Sequence, residues 1–239
     1  LFPYTTLFRS NCCEDISLID RWICIDDGTN DEDRKTMHIL YPFFEFIFKT
    51  QEQYGHINSM NMIRNLVISE PSIKYVLHME DNWQFFEKSK YIKRAIDIFD
   101  NNNINTIDTF KNKKIGQVMF NVNYYETSDD NISGGFHNVT STGQPYIIHE
   151  YYEDPNICKE MMKKYKDKTC MCWPHYSFRP SLVSSEIFNI GEYTDGEPSF
   201  EKIYADKYYN AGYISVFFDC INLWQINNLV NKTETATET

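Results

Sequence analysis

The chain has 239 residues, of which 42% are hydrophobic and 16% aromatic, so it can bury a sizeable core in one large or two small domains. Its formal charge is −11 and no basic stripe is present to neutralise phosphates, which argues against a nucleic-acid partner. No apolar run reaches the length of a membrane span, and no signal peptide is visible.

The first stretches of the chain differ sharply in character. Residues 1–10, LFPYTTLFRS, look like the translation of a widely used sequencing adapter, so they predict no element of the fold. Residues 11–20 are predicted to finish a helix. The first clear strand is RWICI at 21–25, followed by DDGTND at 26–31, a tight turn with exposed carboxylates. Residues 31–40 then predict a short helix.

A second apolar run at 43–48 predicts another strand, and a polar loop at 51–61 leads into a helix from about 59 to 69. The next strand, 75–79, ends abruptly in Glu80, Asp81 and Asn82. Two carboxylates and an amide at the end of a buried strand are costly unless a metal or ligand compensates them. The alternative interpretation is that they begin the next helix, where negative charge suits the dipole.

The remaining segments continue the alternation of strands and helices. Apolar positions recur at helical spacing over 83–99, and the segment 123–152 lacks periodicity, which predicts a long functional or mobile loop. The other predicted elements are an Asn-rich connector at 101–112, strands at 115–121 and 213–219, and helices at 155–165, 181–188 and 200–210. This order predicts one α/β domain over 11–225 with a mostly parallel sheet flanked by helices. The polar tail at 226–239 is predicted to end in disorder.

Seven cysteines, an odd number without regular spacing, predict reduced thiols and a cytoplasmic protein. Cys170, Cys172 and His175 offer three ligands of the kind that zinc uses. They lack a second ligand pair at the usual spacing, so the sequence disfavours a structural zinc site.

Five motifs stand in one order along the chain: DDGTND, GHINSMN at 55–61, HMEDN at 78–82, WPHYSFRPSLV at 173–183 with IGEY at 190–193, and FEKIYADKYYNAGYISVFFD at 200–219. In this order the chain resembles GT-A type glycosyltransferases of the family-2 kind, of a viral or metagenomic type. The resemblance covers residues 11–223. It implies a single Rossmann-like GT-A domain whose first strand is missing, that is, an N-terminally truncated one.

The resemblance also implies a donor site for a nucleotide-sugar. Asp26 or Asp27 would contact the base or ribose, and His56 and Asn61 lie where such enzymes contact the nucleotide. Glu80 begins the stretch that stands in place of the acidic motif binding the ribose and a divalent cation, Mn²⁺ or Mg²⁺. The implied metal ligands are Asp81 and Asn82, the latter a neutral and poorer ligand than the Asp common there.

Sugar transfer needs a cation to absorb charge on the leaving diphosphate and a carboxylate to take the proton of the acceptor hydroxyl. The resemblance assigns that base to Glu201, with Glu197 as the nearby substitute, and implies inversion. The alternative for Glu201 is an ordinary carboxylate at a helix N-terminus. Arg179 would pair a phosphate oxygen or form a structural salt bridge. His78 would lie in the core or point at the site, and we favour the core.

The implied function is transfer of a sugar from a nucleotide donor to an unidentified hydroxyl of a glycan, lipid or protein. A haloacid-dehalogenase phosphatase, which DDGT also resembles, is excluded because Ile25 occupies the position of the Asp nucleophile. Two alternatives stay open: a sugar nucleotidyltransferase, and a binding protein that keeps the nucleotide-sugar pocket without catalysis.

Overall fold

The computed structural model describes residues 8–80, 82–121, 135–164, 170–220 and 222–225. Within these residues the chain is a mixed α/β domain. Its strands are β1 Ile23–Asp26, β2 Glu45–Phe48, β3 Tyr75–His78, β4 Trp83–Phe85, β5 Lys114–Met119, β6 Gly135–Val139, β7 Pro145–His149, β8 Ser181–Ser184, β9 Tyr213–Phe217 and β10 Leu223–Gln225. Its α-helices are α1 Asp31–Leu40, α2 His56–Ser69, α3 Tyr91–Asn101, α4 Pro155–Lys164 and α5 Phe200–Asn210. None of the described helices is long and apolar enough to cross a bilayer.

The main sheet has six strands in the order β3-β8-β5-β9-β7-β6. Four of its five pairings are antiparallel, and β5 with β9 is the parallel one. The prediction of a mostly parallel sheet is therefore wrong for this sheet. The physical reason is that β8 runs antiparallel between β3 and β5, and that a β6–β7 hairpin extends the far edge.

Two smaller sheets accompany the main one. Strands β1 and β2 pair in parallel, with Ile23 opposite Glu45 and Asp26 opposite Phe48. Strand β10 pairs antiparallel with β4. The alternation of strand and helix thus holds from β1 to β3, and it ends where β4 follows β3 without a helix between them.

Two predicted helices have a different structure in whole or in part. The segment 181–188, predicted as a helix, is strand β8 followed by a 3₁₀ helix, Ser185–Ile190. Its apolar run is short enough to fit either structure, and Leu182 and Val183 are buried in different core clusters, as neighbouring residues of a central strand are. The start of the predicted helix 83–99 is strand β4, in which Trp83 and Phe85 are buried with a period of two. The helix begins only at Tyr91.

The segment predicted as a long loop contains a β-hairpin in its described part. Strand β7 is buried at four of its five positions, Tyr146 to His149, and β6 pairs with it in register. Gly143 turns the chain between the strands with a φ of 96°, a conformation that favours glycine. The prediction failed because β6 is largely exposed and carries little hydrophobic pattern. Residues 122–134 lie outside the described part.

Two clusters of buried side chains lie on opposite faces of the main sheet. One cluster packs α3 against the sheet through Ile92, Ala95 and Ile98. The other packs α2 and α5 against the opposite face, with Met60 and Tyr204 among its fully buried members. The site described below therefore sits on a sheet that is covered by helices on both sides.

The amino-terminal segment forms short helical turns, Phe8–Cys12 and Ile16–Leu18, where the end of a helix was predicted. Phe8 is fully buried against Phe85 and Tyr91. The adapter origin of residues 1–10 concerns the nucleotide sequence and stays a prediction. The predicted tail, 226–239, lies outside the described residues.

A disulfide joins Cys158 of α4 to Cys172. The prediction that the cysteines are reduced is therefore wrong for this pair. The disulfide also removes Cys172 from the trio considered for zinc. His175, another member of that trio, is buried and its Nδ1 accepts a hydrogen bond from the backbone N–H of Ser215.

Candidate functional site

One large cavity, of about 1410 Å³, lies between β1 and β3. Its polar end is formed by residues from three separate stretches of the chain. The predicted site residues that line the cavity are Asp26, Asp27, His56, Glu80 and Asn82. The fold thus brings together the acidic turn after β1 and the acidic stretch after β3, with the start of α2 beside them. Asp81 lies outside the described residues.

Asp26 is engaged within the protein. Its side chain is only 4% exposed and forms a salt bridge with Arg34 at 3.0 Å. It also accepts hydrogen bonds from the backbone and the hydroxyl of Thr29, which close the turn after β1. The carboxylate of Asp26 therefore shapes the loop, and its neighbour faces the cavity opening.

The side chain of Asp27 is 45% exposed, and its carboxylate forms an ion pair with a buried lysine. The Lys49 side chain is fully buried, and its Nζ donates to Asp27 Oδ1 at 2.5 Å, to the Gly55 carbonyl and to Ser59 Oγ, both at 2.8 Å. The Gly55 N–H donates to the same Oδ1 at 2.8 Å. Partial burial raises the pKa of Asp27, but the bonds from Lys49 and Gly55 outweigh it and hold the pKa below the ordinary value.

Sequence reasoning missed Lys49. The sequence shows two apolar runs, ICIDD and FIFKT, that each end in charged or polar residues, and the two strands pair in parallel. In the register of the β1–β2 pair, Asp26 lies opposite Phe48, so the next residues, Asp27 and Lys49, come together. A lysine directly after an apolar strand, beside an acidic turn, predicts such an ion pair only once the strand pairing is known.

His56 links the two acidic ends. Its Nε2 lies 3.8 Å from Glu80 Oε1, and the imidazole also interacts electrostatically with Asp27. Burial lowers the pKa of His56, although the charge of Asp27 opposes that effect. Close to neutral pH, the histidine is therefore a neutral ring placed between two carboxylates.

Two buried polar atoms of the site have no hydrogen-bond partner within the described residues: Nε2 of His78 and Oδ1 of Asn82. Both residues line the cavity and are partly exposed. Burial lowers the pKa of His78 to about 4, so its ring is neutral at physiological pH. Buried polar groups are normally satisfied, so unpaired ones beside a cavity indicate a place for a ligand or an ion. His78 thus borders the site, whereas the sequence favoured a place in the core.

Glu201 lies beside this polar end of the cavity, and one aromatic residue, Phe178, contacts both Glu201 and the polar end. Its Oε1 accepts the backbone N–H of Phe178 at 3.0 Å. The Phe178 ring in turn packs on His56, with ring centroids 4.7 Å apart, and lies 6.0 Å from His78. Burial raises the pKa of Glu201, which the Phe178 N–H and the charge of Arg179 only partly oppose. A carboxylate with a raised pKa is a better proton acceptor.

The loop that carries Phe178 and Arg179 is fixed to the main sheet. The fully buried Gln117 of β5 donates from Nε2 to the Ser177 carbonyl at 2.6 Å and accepts the Ser177 N–H on Oε1 at 3.1 Å. Gln117 also bonds Ser181 and Ser215 within the sheet. This network sets the position of the loop relative to β5, β8 and β9.

The other predicted contacts are not brought into the cavity. The side-chain amide of Asn61 forms two hydrogen bonds with the backbone of Tyr193. Its Nδ2 donates to the Tyr193 carbonyl and its Oδ1 accepts the Tyr193 N–H, both at 2.9 Å. Asn61 therefore clamps α2 to the segment that follows β8. Arg179 is half-buried beside Glu201, and it does not line the cavity.

Comparison with known proteins adds no relative: no family model matches the chain, and a search of the curated proteins finds no match.

Proposed function

We propose that the protein is a glycosyltransferase that moves a sugar from a nucleotide-sugar donor to an acceptor hydroxyl. One observation carries the proposal. The acidic turn after β1, the start of α2 and the acidic stretch after β3 line a single cavity, and Glu201 lies one residue away from it. Three of the five motifs named from sequence thus supply polar residues to one cavity, and Phe178 and Glu201 of the other two lie beside it.

Asp27 is the residue we assign to the nucleoside of the donor. The bonds from Lys49 and Gly55 both use its Oδ1, so they leave Oδ2 of this half-exposed carboxylate for a ribose hydroxyl or a base N–H. Asp26 stabilises the turn after β1, because its carboxylate is bonded to Arg34 and Thr29. The fixed position of Asp27 lowers the entropic cost of binding the donor.

A divalent cation, Mn²⁺ or Mg²⁺, fits the residues after β3. Asn82 Oδ1 is a buried oxygen without a partner among the described residues, and Glu80 lines the same cavity. Carboxylate and amide oxygens suit a hard cation. Among the described residues no group of three His, Cys, Asp or Glu side chains could hold a metal, and Asp81, the other ligand that the resemblance implies, lies outside them. When bound, the cation supplies positive charge against the leaving diphosphate.

Glu201 is the residue we assign as general base. The acceptor hydroxyl must lose a proton as it attacks the anomeric carbon, and a carboxylate can take that proton. Burial keeps the affinity of Glu201 for a proton high, while the Phe178 N–H orients the carboxylate. One direct displacement with Glu201 as base inverts the configuration of the sugar.

The test is the pair of variants Glu201→Gln and Glu197→Gln, measured with a panel of labelled nucleotide-sugars in the presence of Mn²⁺. We expect Glu201→Gln to lose transfer by about 10²–10⁴-fold, the usual contribution of a general base. Its thermal stabilisation by the donor should be kept. Glu197, the substitute base named from sequence, is exposed in the same segment. Glu197→Gln is therefore the comparison variant and should keep full activity; loss of transfer in this variant alone assigns the base to Glu197.

Full turnover by Glu201→Gln removes Glu201 from the mechanism. Donor binding without transfer or hydrolysis by the unaltered protein supports the alternative of a binding protein instead. Release of pyrophosphate from a sugar phosphate and a nucleoside triphosphate supports a nucleotidyltransferase. Cytoplasmic location stays a prediction, and the Cys158–Cys172 disulfide does not favour it, because disulfides are rare in that compartment.

A further inference from the structure

His78 is the last residue of β3, and it lines the polar end of the cavity. Its Nε2 is buried and has no hydrogen-bond partner within the described part of the chain. A buried ring nitrogen in this state costs stability, so it indicates a place where a ligand, a water or a metal ion binds. No step of the proposed sugar transfer uses this nitrogen.

The other ring nitrogen of His78 determines what Nε2 can bind. The ring forms a hydrogen bond with the backbone of Phe178 that favours the protonated imidazole, as a bond donated to the carbonyl does. Because Nε2 is the nitrogen without a partner among the described residues, the donor is Nδ1. In the neutral ring Nδ1 therefore carries the proton, and Nε2 presents a lone pair. Nε2 can accept a hydrogen bond or bind a metal ion, but it cannot donate.

Metal-binding histidines have the same arrangement. Such residues almost always donate their second ring N–H to a carboxylate, a backbone carbonyl or water, which fixes the tautomer and raises the basicity of the ligating nitrogen. For His78 the acceptor is the carbonyl of Phe178. The backbone N–H of the same Phe178 donates to Glu201. One residue of the loop thus orients both the His78 ring and the carboxylate assigned as general base.

A second unpaired donor atom lies four residues further along the chain. Oδ1 of Asn82 is also buried without a partner in the described part, and Asn82 lines the same cavity. Glu80 lies between the two residues in sequence. His56 lies 3.8 Å from Glu80 and also interacts electrostatically with His78, so these side chains share one region. An imidazole nitrogen and an amide oxygen beside a carboxylate are suitable ligands for a divalent cation.

We propose that His78 Nε2 and Asn82 Oδ1 both bind the divalent cation of this site, and that the cation is a transition-metal ion such as Mn²⁺ and not Mg²⁺. Imidazole nitrogen is a common ligand of transition metals, whereas Mg²⁺ takes oxygen ligands. One imidazole and one amide are consistent with the absence of a group of three His, Cys, Asp or Glu ligands among the described residues. The inference rests on the proposed function, because it specifies the cation of that site.

Pulsed electron paramagnetic resonance of the protein loaded with Mn²⁺ alone tests the proposal, because a nitrogen bound to Mn²⁺ modulates the electron spin echo. We expect ¹⁴N modulation in the parent protein and the ¹⁵N pattern when only the histidines are labelled with ¹⁵N. His78→Gln should lose the nitrogen modulation. His56→Gln is the matched control, since His56 lines the same cavity, and it should keep the modulation.

The affinity for Mn²⁺ gives a second readout, taken from the spectrum of the free ion during a titration. His78→Gln and Asn82→Ala should each weaken Mn²⁺ binding by about tenfold or more, the range found when a metal ligand loses its support. Asn82→Ala keeps the imidazole, so at saturating Mn²⁺ it should retain the nitrogen modulation. In the parent protein, an excess of Mg²⁺ of about a hundredfold should leave most of the Mn²⁺ bound. Unchanged far-ultraviolet circular dichroism spectra confirm that the variants fold.

The outcomes separate this inference from the proposed function. Bound Mn²⁺ without nitrogen modulation overturns the inference, and so does modulation that His56→Gln removes and His78→Gln keeps. If His78→Gln does not fold, the ¹⁵N-histidine pattern and the His56→Gln variant decide. Displacement of Mn²⁺ by an equal concentration of Mg²⁺ overturns the preference for a transition metal. Absence of Mn²⁺ binding overturns both the inference and the cation of the proposed function, whereas nitrogen-bound Mn²⁺ in a protein that transfers no sugar overturns the proposed function alone.

Discussion

The buried ion pair between Lys49 and Asp27 allows a quantitative test of how the acidic turn is held. Removal of Asp27 leaves the Lys49 ammonium, whose side chain is 0% exposed, without a counter-charge. Breaking a buried pair in this way costs about 3–5 kcal/mol of unfolding free energy. Because Asp27 is 45% exposed, its loss admits water to Nζ, so we expect Asp27→Ala to cost about 3 kcal/mol, the low end of that range.

Removal of the lysine has a smaller effect. In Lys49→Met the half-exposed Asp27 regains water, and the main loss is two hydrogen bonds, to the Gly55 carbonyl and Ser59 Oγ. At about 1 kcal/mol each, these losses sum to about 2 kcal/mol. Adding Asp27→Ala to Lys49→Met should then change stability by only about 0.5 kcal/mol, because no buried charge is left behind. The coupling energy between the two sites is therefore about 2–3 kcal/mol.

Urea unfolding at pH 7 of the parent protein, both single variants and the double variant measures this coupling. In thermal scans Asp27→Ala should lower the melting temperature by about 6–12 °C, at roughly 2–4 °C per kcal/mol for a chain of this size. Since the folded-state pKa of Asp27 is lowered, the contribution of the pair is complete above the ordinary carboxyl pKa of 3.8 and is lost as the pH falls below it. An equal cost of Asp27→Ala with and without Lys49 refutes the reasoning.

Three further predictions concern other parts of the molecule. Because burial lowers the pKa of His78 to about 4, stability should fall between pH 6.5 and pH 4, and NMR titration should find a neutral ring down to about pH 4; titration near 6.5 contradicts this. Cys158→Ser should lose about 3 kcal/mol in chemical unfolding, as expected for a loop of 14 residues, and equal stability of the variant and the oxidised parent refutes a stabilising disulfide. Gly116→Ala would place a Cβ 2.7 Å from Tyr208 Oη and should lower the free energy of unfolding by about 1–3 kcal/mol. An unchanged urea midpoint would mean that the core accommodates the added methyl group without cost.

Several elements of the fold could be predicted from local sequence. The helix Asp31–Leu40 follows Asn30, whose side chain accepts the Asp33 N–H, and its first turn is acidic. Both features are typical of a helix start, so this start can be predicted from the sequence. The helix Phe200–Asn210 begins after Ser199 in the same manner. The strands β1, β3, β5 and β9 also matched the predicted apolar runs, with ends shifted by a few residues. The two helix starts depend on contacts within a few residues along the chain, whereas the strands were recognised by their apolar runs although their pairing partners are distant in sequence.

The sequence alone also identified the polar segments that meet at the cavity, because carboxylates directly after buried strands need compensation. Pairing partners, strand direction and the disulfide required the tertiary structure. A run such as SLVS fits a helix or a strand equally well, and only its position between β3 and β5 decides which one forms. In the same way, Asp26 and Asp27 are adjacent and chemically identical. Arg34 pairs with the buried Asp26, and Lys49, 22 residues from Asp27, holds that second carboxylate at the cavity mouth.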